Sequence, residues 1–324
     1  MNSHSSKRYL ALSGGVGGAK LVLGLSAVLR SEELTVVANT GDDFEHLGLH
    51  ICPDIDTVLY SLADWSNKEL GWGQAEESWT FLGALKRLGG EDWFSLGDKD
   101  MATHILRTQM LRSGASLSEV IEELRIKMRV AHRVVPMSDD RVRTEVHCKK
   151  GGTLSFQHYF VRERCKPEVS GFNFLGVKSA KPSPGFLSAL SGSLNAVFIC
   201  PSNPFVSVAP ILKIPGVLER LRAVKVPIIV VSNIVGGEAI KGPAAKMMTE
   251  LGMPQTALGV AKHYVKQYGD LITGFIIDTA DAHLEKEIVD LGLETIVTKS
   301  VMVTLKDKVA LAEEVLAFAT TLEA

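Results

Sequence analysis

Four aspartates closely follow a hydrophobic segment of this chain. Asp42 and Asp43 come directly after the apolar run 34–38, and Asp54 and Asp56 form a second pair beyond it. Such a run predicts a buried parallel strand, and ligands of open α/β sheets bind beyond the carboxyl ends of strands. Crowded carboxylates repel one another, whereas Mg²⁺ takes one or two carboxylates and shares its other positions with water and substrate phosphates. The spacing therefore predicts phosphoryl chemistry.

The two pairs of aspartates leave several roles open. Asp54 could cap a helix that begins near Asp56 or the next residue, and Asp43 could be a solvated loop residue. We predict that Asp42 and Asp56 are the metal ligands and the catalytic residues, with one carboxylate from each pair reaching the ion. A dinucleotide dehydrogenase would instead offer a single acidic residue that holds a ribose.

A glycine-rich turn precedes these aspartates. The run 9–12 predicts a first strand, and the turn holds Gly14, Gly15, Gly17 and Gly18 before a segment of helical composition. Glycine permits close backbone approach, and the N-terminus of a helix binds anions. Lys20 stands where the dinucleotide motif GxGxxG requires glycine, and the Walker A motif is also absent. A phosphate or nucleotide cradle is favoured over a merely compact turn.

Two further loops carry candidate ligand contacts. Ser202, Asn203 and Ser207 follow the apolar run 196–200 and suit contacts to a base or ribose, although an Asn-Pro turn would also explain them. Lys241 lies in a second glycine-rich loop before a helix, where it could contact a phosphate or be a solvated lysine. The local pattern does not choose between these interpretations.

The region 57–131 differs from the segment before it, because it holds all four tryptophans and its periodicity becomes helical. It is predicted to be a helical insertion that covers the site. Its four tryptophans are candidates for a flat aromatic platform, although core packing is the expected fate of most of them. Ser116 and Glu119 predict a capping box that opens a helix over 117–128. These tryptophans are Trp65, Trp72, Trp79 and Trp93.

A second helix is predicted to begin near position 98 within this region. Asp98 or Asp100 could cap it. His104 and Arg107 share one face of that helix and could meet an anionic or aromatic ligand. A structural role for the histidine is an equal alternative.

The remaining pattern predicts an α/β fold, a Rossmann-like, doubly wound and mostly parallel sheet in a single domain over 1–324. Further apolar runs at 227–231, 271–277 and 293–297 predict strands, and a final helix is expected over 305–318. The sequence shows no repeat and no low-complexity linker.

Bulk composition excludes several classes of protein. The formal net charge is −2, so no basic field would attract nucleic acid or an anionic membrane. No apolar segment approaches the ~20 residues that span a bilayer. The polar N-terminal segment 1–7 does not resemble a secretory signal, and the four cysteines form no CxxC pair. A cytoplasmic protein with unpaired thiols is expected.

These motifs together resemble the 2-phospho-L-lactate transferase family of coenzyme F420 biosynthesis. The resemblance covers nearly the whole chain in ordered blocks: 13–20, 39–43, 51–60, 93–107, 110–114, 136–139, 201–212 and 236–252. It implies a Rossmann-like core with a helical insertion, a homodimer, and dependence on Mg²⁺. It also implies transfer of a phosphorylated three-carbon acid from its guanosine-diphosphate derivative to Fo, the deazaflavin alcohol, with release of GMP.

The resemblance also implies roles for particular residues. Asp42 and Asp56 match the acidic pair that the family uses around the metal and Fo. The glycine turn, Asn203 and Ser207 fall in blocks expected to contact the guanosine diphosphate part. Asn39 and Asp43 fall in the block 39–43 and are also assigned to ligand binding. The acid could be that of 2-phospholactate, phosphoenolpyruvate or 3-phosphoglycerate. The alternative function is a non-enzymatic regulator of the related family that binds nucleotide sugars.

Overall fold

A seven-stranded parallel sheet forms the centre of the protein. The computed structural model describes residues 7–69, 71–239 and 242–322. The strands are β1 Tyr9–Ser13, β2 Leu34–Ala38, β3 Phe44–His46, β4 Leu49–Ile51, β5 Arg133–Pro136, β6 Arg143–Cys148, β7 Gly152–Ser155, β8 Val169–Leu175, β9 Ala196–Ile199, β10 Ile228–Val231, β11 Ile234–Val235, β12 Glu238–Ala239, β13 Gly274–Asp278 and β14 Glu294–Thr298.

Helices cover both faces of this sheet. They are α1 Gly15–Val28, α2 Pro53–Leu62, α3 Thr80–Arg87, α4 Asp98–Arg112, α5 Leu117–Lys127, α6 Pro184–Ser191, α7 Ala209–Leu212, α8 Val217–Ala223, α9 Ala244–Glu250, α10 Ala257–Tyr268, α11 Glu285–Val289 and α12 Leu305–Leu322. Short π-helical segments lie at His158–Arg162 and Pro204–Val208, and 3₁₀ turns at Gly269–Leu271 and Thr279–Leu284.

The strand order is β14-β13-β10-β9-β1-β2-β5, with every neighbouring pair parallel. The chain winds outward from β1 to β2 and β5 on one side, and from β9 to β14 on the other. Consecutive crossovers therefore leave from opposite sides of β1 and β9, which makes the crevice between these strands the topological switch point, where ligands bind in such sheets. The predicted α/β, doubly wound fold is confirmed.

The core lies in two layers, one on each face of the sheet. Side chains of one strand point to alternate faces: Leu10 and Leu12 of β1 belong to one layer, and Tyr9 and Ala11 to the other. Helices α1, α2, α5 and α12 pack in the second layer. Helices α6 and α8–α11 pack in the first, together with the small antiparallel sheet β7-β6-β8.

The region 57–131 contributes both to the core and to the rim of the site. Helix α5 buries Val120, Ile121 and Leu124 in the second core layer, and its predicted capping box is present. In contrast, α3 buries no residue. The switch point is reached instead by residues between α2 and α4 and by the first half of α4.

The segment before α3 caps the N-terminus of α4, and the first residue of α4 caps that of α3. Glu77 accepts hydrogen bonds from the backbone amides of Lys99 and Asp100, so it caps α4. Asp98 accepts from the amides of Thr80 and Phe81 and therefore caps α3. The prediction that Asp98 or Asp100 caps its own helix is wrong, because the segment before α3 folds back onto α4.

No helix among residues 7–69, 71–239 and 242–322 is long and apolar enough to span a bilayer.

Candidate active site

The two loops at the switch point are joined by one serine. The hydroxyl of Ser202, after β9, accepts from the amide of Gly14 at 3.0 Å and donates to the carbonyl of Gly14 at 2.7 Å. Gly14 itself ends the turn after β1, and a side chain there would collide with Ser207, because a Cβ added to Gly14 would lie 2.5 Å from the Cβ of Ser207. The predicted contacts Gly14, Ser202 and Ser207 therefore meet at one point.

Gly17 permits the closest approach between α1 and the loop after β9. A Cβ added to Gly17 would lie 2.3 Å from the carbonyl oxygen of Pro201. We expect Gly17→Ala to lower the free energy of unfolding by about 1–3 kcal/mol, because the two loops must separate. Urea unfolding measures this, with Gly83→Ala of α3 as the control: its nearest neighbour would be 3.9 Å away, so the change should be neutral or stabilising. Equal effects of the two substitutions would contradict the expectation.

Asp54 caps the N-terminus of α1 from a neighbouring helix. Its Oδ1 accepts from the amide of Gly15 at 2.7 Å, and its Oδ2 accepts from the side chain of Asn39 at 2.9 Å. Asn39 in turn accepts from the amide of Gly41 at 2.8 Å. Burial raises the pKa of Asp54 to about 6 even though both hydrogen bonds favour the charged form. Asp54 is thus a helix cap, which was one of the predicted alternatives, but it caps α1 rather than its own helix.

Asp42 is a buried carboxyl group that forms no ion pair with a cation among the residues that the structure describes. It is 5% exposed, and its Oδ1 has no hydrogen-bond partner among the described residues. Burial raises the pKa of Asp42 well above its usual value, and the negative charges of Asp54 and Asp43 raise it further. An unpaired carboxylate in such surroundings is energetically unfavourable, so the site has the electrostatic character of a cation-binding position.

Asp56 lies in a different environment, since a guanidinium already neutralises it. Arg107 donates from Nη1 to Asp56 Oδ2 at 3.1 Å and from Nη2 to Asp56 Oδ1. Arg107 has no exposed surface. Burial raises the pKa of Asp56, and the charges of Arg107 and His104 oppose that rise. The role of Asp56 as a metal ligand and catalytic residue stays a prediction, and its oxygens face Arg107 in this structure.

A chain of polar contacts extends from this ion pair. His104 Nδ1 lies 3.1 Å from Arg107 Nη1, and His104 Nε2 lies 3.3 Å from Asp100 Oδ1. Because arginine only donates, Nδ1 of a neutral His104 must accept and Nε2 carries the hydrogen. The hydroxyl of Tyr60 donates to Asp100 at 2.6 Å. Burial raises the pKa of Asp100, but the hydrogen bonds and charges of its partners, His104 first, leave it below its usual value.

A cavity of about 510 Å³ opens at the switch point and unites these groups. Its lining includes polar groups, called here the polar wall: the glycine turn, the loop after β9 and carboxylates. It also includes aromatic side chains, called here the aromatic wall: Trp72, Phe94, Phe156 and Phe160. The rings of Phe156 and Phe160 stack with centroids 5.5 Å apart. The cavity can therefore receive ligands that carry anionic groups and a flat apolar ring.

Most of the predicted site residues line this cavity. They are Gly14, Gly15, Gly17, Lys20, Asp42, Asp56, Ser202, Asn203 and Ser207. Gly18, Asn39 and Asp43 are buried behind its wall. Lys241 lies outside the residues that the structure describes. The ammonium group of Lys20 donates to the carbonyl of Met302 at 2.9 Å, which ties α1 to the loop before α12.

Several cavity residues are not indicated by the sequence motifs. Phe156, Gln157 and Phe160 come from the segment after β7, and Asn233 and Ser300 follow β10 and β14. The positions of Asn233 and Ser300 after predicted strands could have identified them, because all the strands of a parallel sheet end at the same edge. Phe156 and Phe160 carry no comparable signal.

Most tryptophans of the region 57–131 are exposed, so the expectation that most would pack in the core is wrong. Trp65 and Trp79 are 42% and 39% exposed, and Trp72 is 43% exposed at the cavity. Trp72 and Trp79 contact each other edge to face, with centroids 6.2 Å apart. Trp93 is partly buried and packs against the rings of His158 and three other side chains, those of Phe44, His46 and Phe94. Of the four tryptophans, Trp72 lines the cavity.

The side chains around Asp42 fit a hard divalent cation such as Mg²⁺. The unpartnered Oδ1 of Asp42 supplies a free oxygen ligand, and the charges of Asp43 and Asp54 make the position electronegative. Oxygen ligands of this kind suit Mg²⁺. Asp56 fits less directly, because Arg107 occupies both of its oxygens.

Comparison with known proteins gives consistent matches over almost the full chain. The family model "2-phospho-L-lactate transferase CofD" matches residues 10–316. A "Phosphoenolpyruvate transferase" of Kitasatospora aureofaciens is 40% identical over 317 residues, covering 96% of this chain and 98% of that protein. A "2-phospho-L-lactate transferase" of Methanocaldococcus jannaschii is 38% identical over 314 residues, with the same shares of the two chains covered.

A solved structure shares the fold. The crystal structure of a UPF0052 family member from Bacillus halodurans superposes with a TM-score of 0.66 and covers 97% of this chain and 100% of that one, at 15% identity. An identity this low supports the fold alone. The match of the family model to residues 10–316, with relatives of about 40% identity over the same span, shows that the chain belongs to the 2-phospho-L-lactate transferase (CofD) family.

Proposed function

We propose that the protein transfers a phosphorylated three-carbon acid from its guanosine-diphosphate derivative to the hydroxyl group of Fo, with release of GMP, in coenzyme F420 biosynthesis. One observation carries this proposal. A single cavity at the switch point joins a glycine-rich helix N-terminus and an unpaired buried carboxyl group to an aromatic wall. Such a cavity suits two substrates that meet, one a nucleoside diphosphate derivative and the other a flat ring system.

The polar wall suits the diphosphate of the donor. The glycine-rich turn 14–18 leads into α1, and the amides at a helix N-terminus favour anions. The first of these amides already binds Asp54, and Asp42 lies nearby. An anionic diphosphate would be repelled by these carboxylates unless a cation stood between them. This charge balance supports a requirement for a divalent metal.

Asp42 is the residue that we propose holds Mg²⁺. When bound, Mg²⁺ supplies charge neutralisation at the diphosphate and makes GMP a better leaving group. A carboxylate bound to Mg²⁺ is a poor base, so we assign Asp42 to metal binding rather than to proton abstraction. Arg107 holds Asp56 in place in the same cavity by donating to both of its oxygens.

The aromatic wall suits the deazaflavin ring of Fo. Trp72, Phe156 and Phe160 offer flat apolar surface in the same cavity as the glycine turn. Aromatic rings prefer offset-stacked or edge-to-face contacts, worth about 0.5–1.5 kcal/mol each beyond area burial.

In the proposed reaction the terminal ribityl hydroxyl oxygen of Fo attacks the phosphorus that carries the three-carbon acid. The bond from this phosphorus to the GMP oxygen breaks, and the hydroxyl proton passes to solvent or to a carboxylate of the cavity. Phosphoryl transfer depends mainly on positioning and electrostatic stabilisation. The residues of both walls therefore contribute chiefly by holding the two substrates in line.

The proposal is tested by incubation of the purified protein with Fo, GTP and one candidate acid, together with the guanylyltransferase that makes the donor. The acids are 2-phospholactate, phosphoenolpyruvate and 3-phosphoglycerate. We expect mass spectrometry to detect F420-0 or its dehydro form, and GMP, with one of these acids. EDTA should stop the reaction and added Mg²⁺ should restore it, because the cavity carboxylates need a cation.

The negative outcomes of this experiment discriminate between functions. If no acid gives a product and Fo fluorescence is unchanged at micromolar protein, the nucleotide-sugar-binding regulator is favoured. Turnover that persists in EDTA would remove the metal from the mechanism. The homodimer implied by family resemblance stays a prediction, which the mass of the protein in solution would test.

A further inference from the structure

We propose that Asp43, His50 and Cys52 form a binding site for a divalent transition metal such as Zn²⁺, separate from the predicted Mg²⁺ position. The three residues come from the loop after β2, from β4 and from the start of α2. One ligand atom from each of them lies within 4.8 Å of the other two. Together they offer a carboxylate oxygen, an imidazole nitrogen and a sulfur.

The distances within this trio approach those of a tetrahedral zinc site. Cys52 Sγ lies 3.2 Å from Asp43 Oδ2, and His50 Nε2 lies 3.5 Å from the same oxygen. Zinc bonds to oxygen, nitrogen and sulfur of about 2.0–2.3 Å imply tetrahedral edges of about 3.3–3.7 Å. Both contacts of Asp43 are within a few tenths of an ångström of such edges, and the ligand atoms of His50 and Cys52 lie within 4.8 Å of each other. Drawing His50 and Cys52 together would therefore admit the ion.

Two of the three residues also carry buried atoms without a hydrogen bond. Asp43 is 2% exposed, and its Oδ1 has no hydrogen-bond partner among the described residues. His50 Nε2 is also buried without a hydrogen bond, although it faces Asp43 at 3.5 Å. Buried polar atoms without partners are rare in folded proteins, and a binding position for an ion is one feature that accounts for them.

The ligand chemistry selects a thiophilic metal rather than Mg²⁺. Thiolate and imidazole ligands favour zinc and related ions, whereas Mg²⁺ favours oxygen ligands. Burial raises the pKa of the Cys52 thiol well above its usual value, so the metal-free thiol is protonated and donates to Asp43. Metal binding would release this proton.

A second cluster of possible metal ligands nearby is less suited to a transition metal. Asp56, Asp100 and His104 also bring ligand atoms within 4.8 Å of one another. Arg107 already supplies a positive charge there, because it donates to both oxygens of Asp56. The charge of Arg107 also acts on Cys52, so the clusters differ in their free ligand atoms: both oxygens of Asp56 are taken, whereas Asp43 keeps an unpartnered oxygen. The trio of Asp43, His50 and Cys52 is therefore the better transition-metal site.

Cobalt spectroscopy of the full-length protein tests the proposal. The metal-free, reduced protein is titrated with Co²⁺, which reports cysteine coordination through a thiolate-to-cobalt absorption band in the near ultraviolet. We expect this band in the wild-type protein. Zn²⁺ should abolish it, whereas an excess of Mg²⁺ should leave it unchanged.

Variants assign the band to the three residues. Cys52→Ser should remove the band, and His50→Gln should weaken Zn²⁺ binding at least tenfold. Cys148→Ser, a change at a partly buried cysteine of β6, is the matched control. It should leave the cobalt band and the affinity for Zn²⁺ unchanged. His50 is partly exposed, so its replacement should be tolerated even if that of Cys52 impairs folding. A wild-type protein without the band, a band that survives Cys52→Ser, or displacement of Co²⁺ by Mg²⁺ would overturn the proposal.

Discussion

Replacing Arg107 with methionine should lower the free energy of unfolding by about 3–5 kcal/mol, because it leaves Asp56 as a buried charge without a partner. Arg107 is fully buried, and its guanidinium donates to both oxygens of Asp56, to the carbonyl of His50 and toward the ring of His104. One substitution therefore removes the cation that holds β4, α2 and α4 together. Urea unfolding with linear extrapolation measures the loss.

Two further variants separate this ion pair from general damage to α4. Arg112→Met on the same helix removes one exposed hydrogen bond to Gly48 and should change stability by less than about 0.5 kcal/mol. The double variant Arg107→Met, Asp56→Asn should recover part of the loss, since no unpaired charge then remains. A loss below about 1 kcal/mol for Arg107→Met, or no recovery in the double variant, would contradict the expected role of the pair.

The strands that surround the switch point can be predicted because they are buried on both faces. Their apolar runs at 34–38 and 196–200 end within one residue of the observed strands, and glycine marks the turn after the first strand of the sheet. The edge strand β5 and the hairpin β3-β4 are not predicted by the sequence pattern. All three strands are short. β3 and β4 are only partly buried, and β5 has just three buried residues after the exposed Arg133, so none of them carries a long apolar run or a clear alternation.

The candidate site is predictable as a neighbourhood but not as a set of contacts. Strand ends and residue types indicate where carboxylates gather. The sequence does not show that Asp54 caps a helix that starts 39 positions earlier, or that Arg107 reaches Asp56 across 51 positions. These pairings depend on how α1, α2 and α4 pack, and no local pattern encodes that arrangement. Aspartates of similar spacing therefore acquire different partners.

The exposed tryptophans show a second limit of inference from composition. Large aromatic side chains usually bury most of their surface, which favours core packing for Trp65, Trp72 and Trp79. In the structure they lie on a segment that buries few residues and that borders the cavity. Their exposure is informative because contiguous apolar surface on a soluble domain marks ligand or partner sites.

Replacing Asp42 with asparagine should have opposite effects on stability and on activity. The substitution removes a buried, repelled carboxylate, so we expect the metal-free protein to gain on the order of 1–2 kcal/mol in the free energy of unfolding. Turnover should fall by roughly 100–1,000-fold or more, because the proposed metal position is lost. Urea unfolding in EDTA and the coupled assay with Fo measure the two effects. Asp290→Asn, a change at an exposed position, is the control and should alter neither.

The stability gain of Asp42→Asn should also depend on pH with a definite sign. Burial, Asp54 and Asp43 raise the pKa of Asp42 in the folded protein, so the folded state holds a proton that the unfolded chain has lost. Keeping Asp42 protonated in the folded state therefore costs the wild-type protein more stability as pH rises from about 4 toward the folded pKa. The gain from the asparagine should be largest above that pKa and should vanish below about pH 3, where the aspartate is protonated in both the folded and the unfolded state. Added Mg²⁺ should abolish the gain at high pH by stabilising only the wild type. A substitution that destabilises the protein at every pH would instead assign Asp42 a structural role and remove it from the metal site.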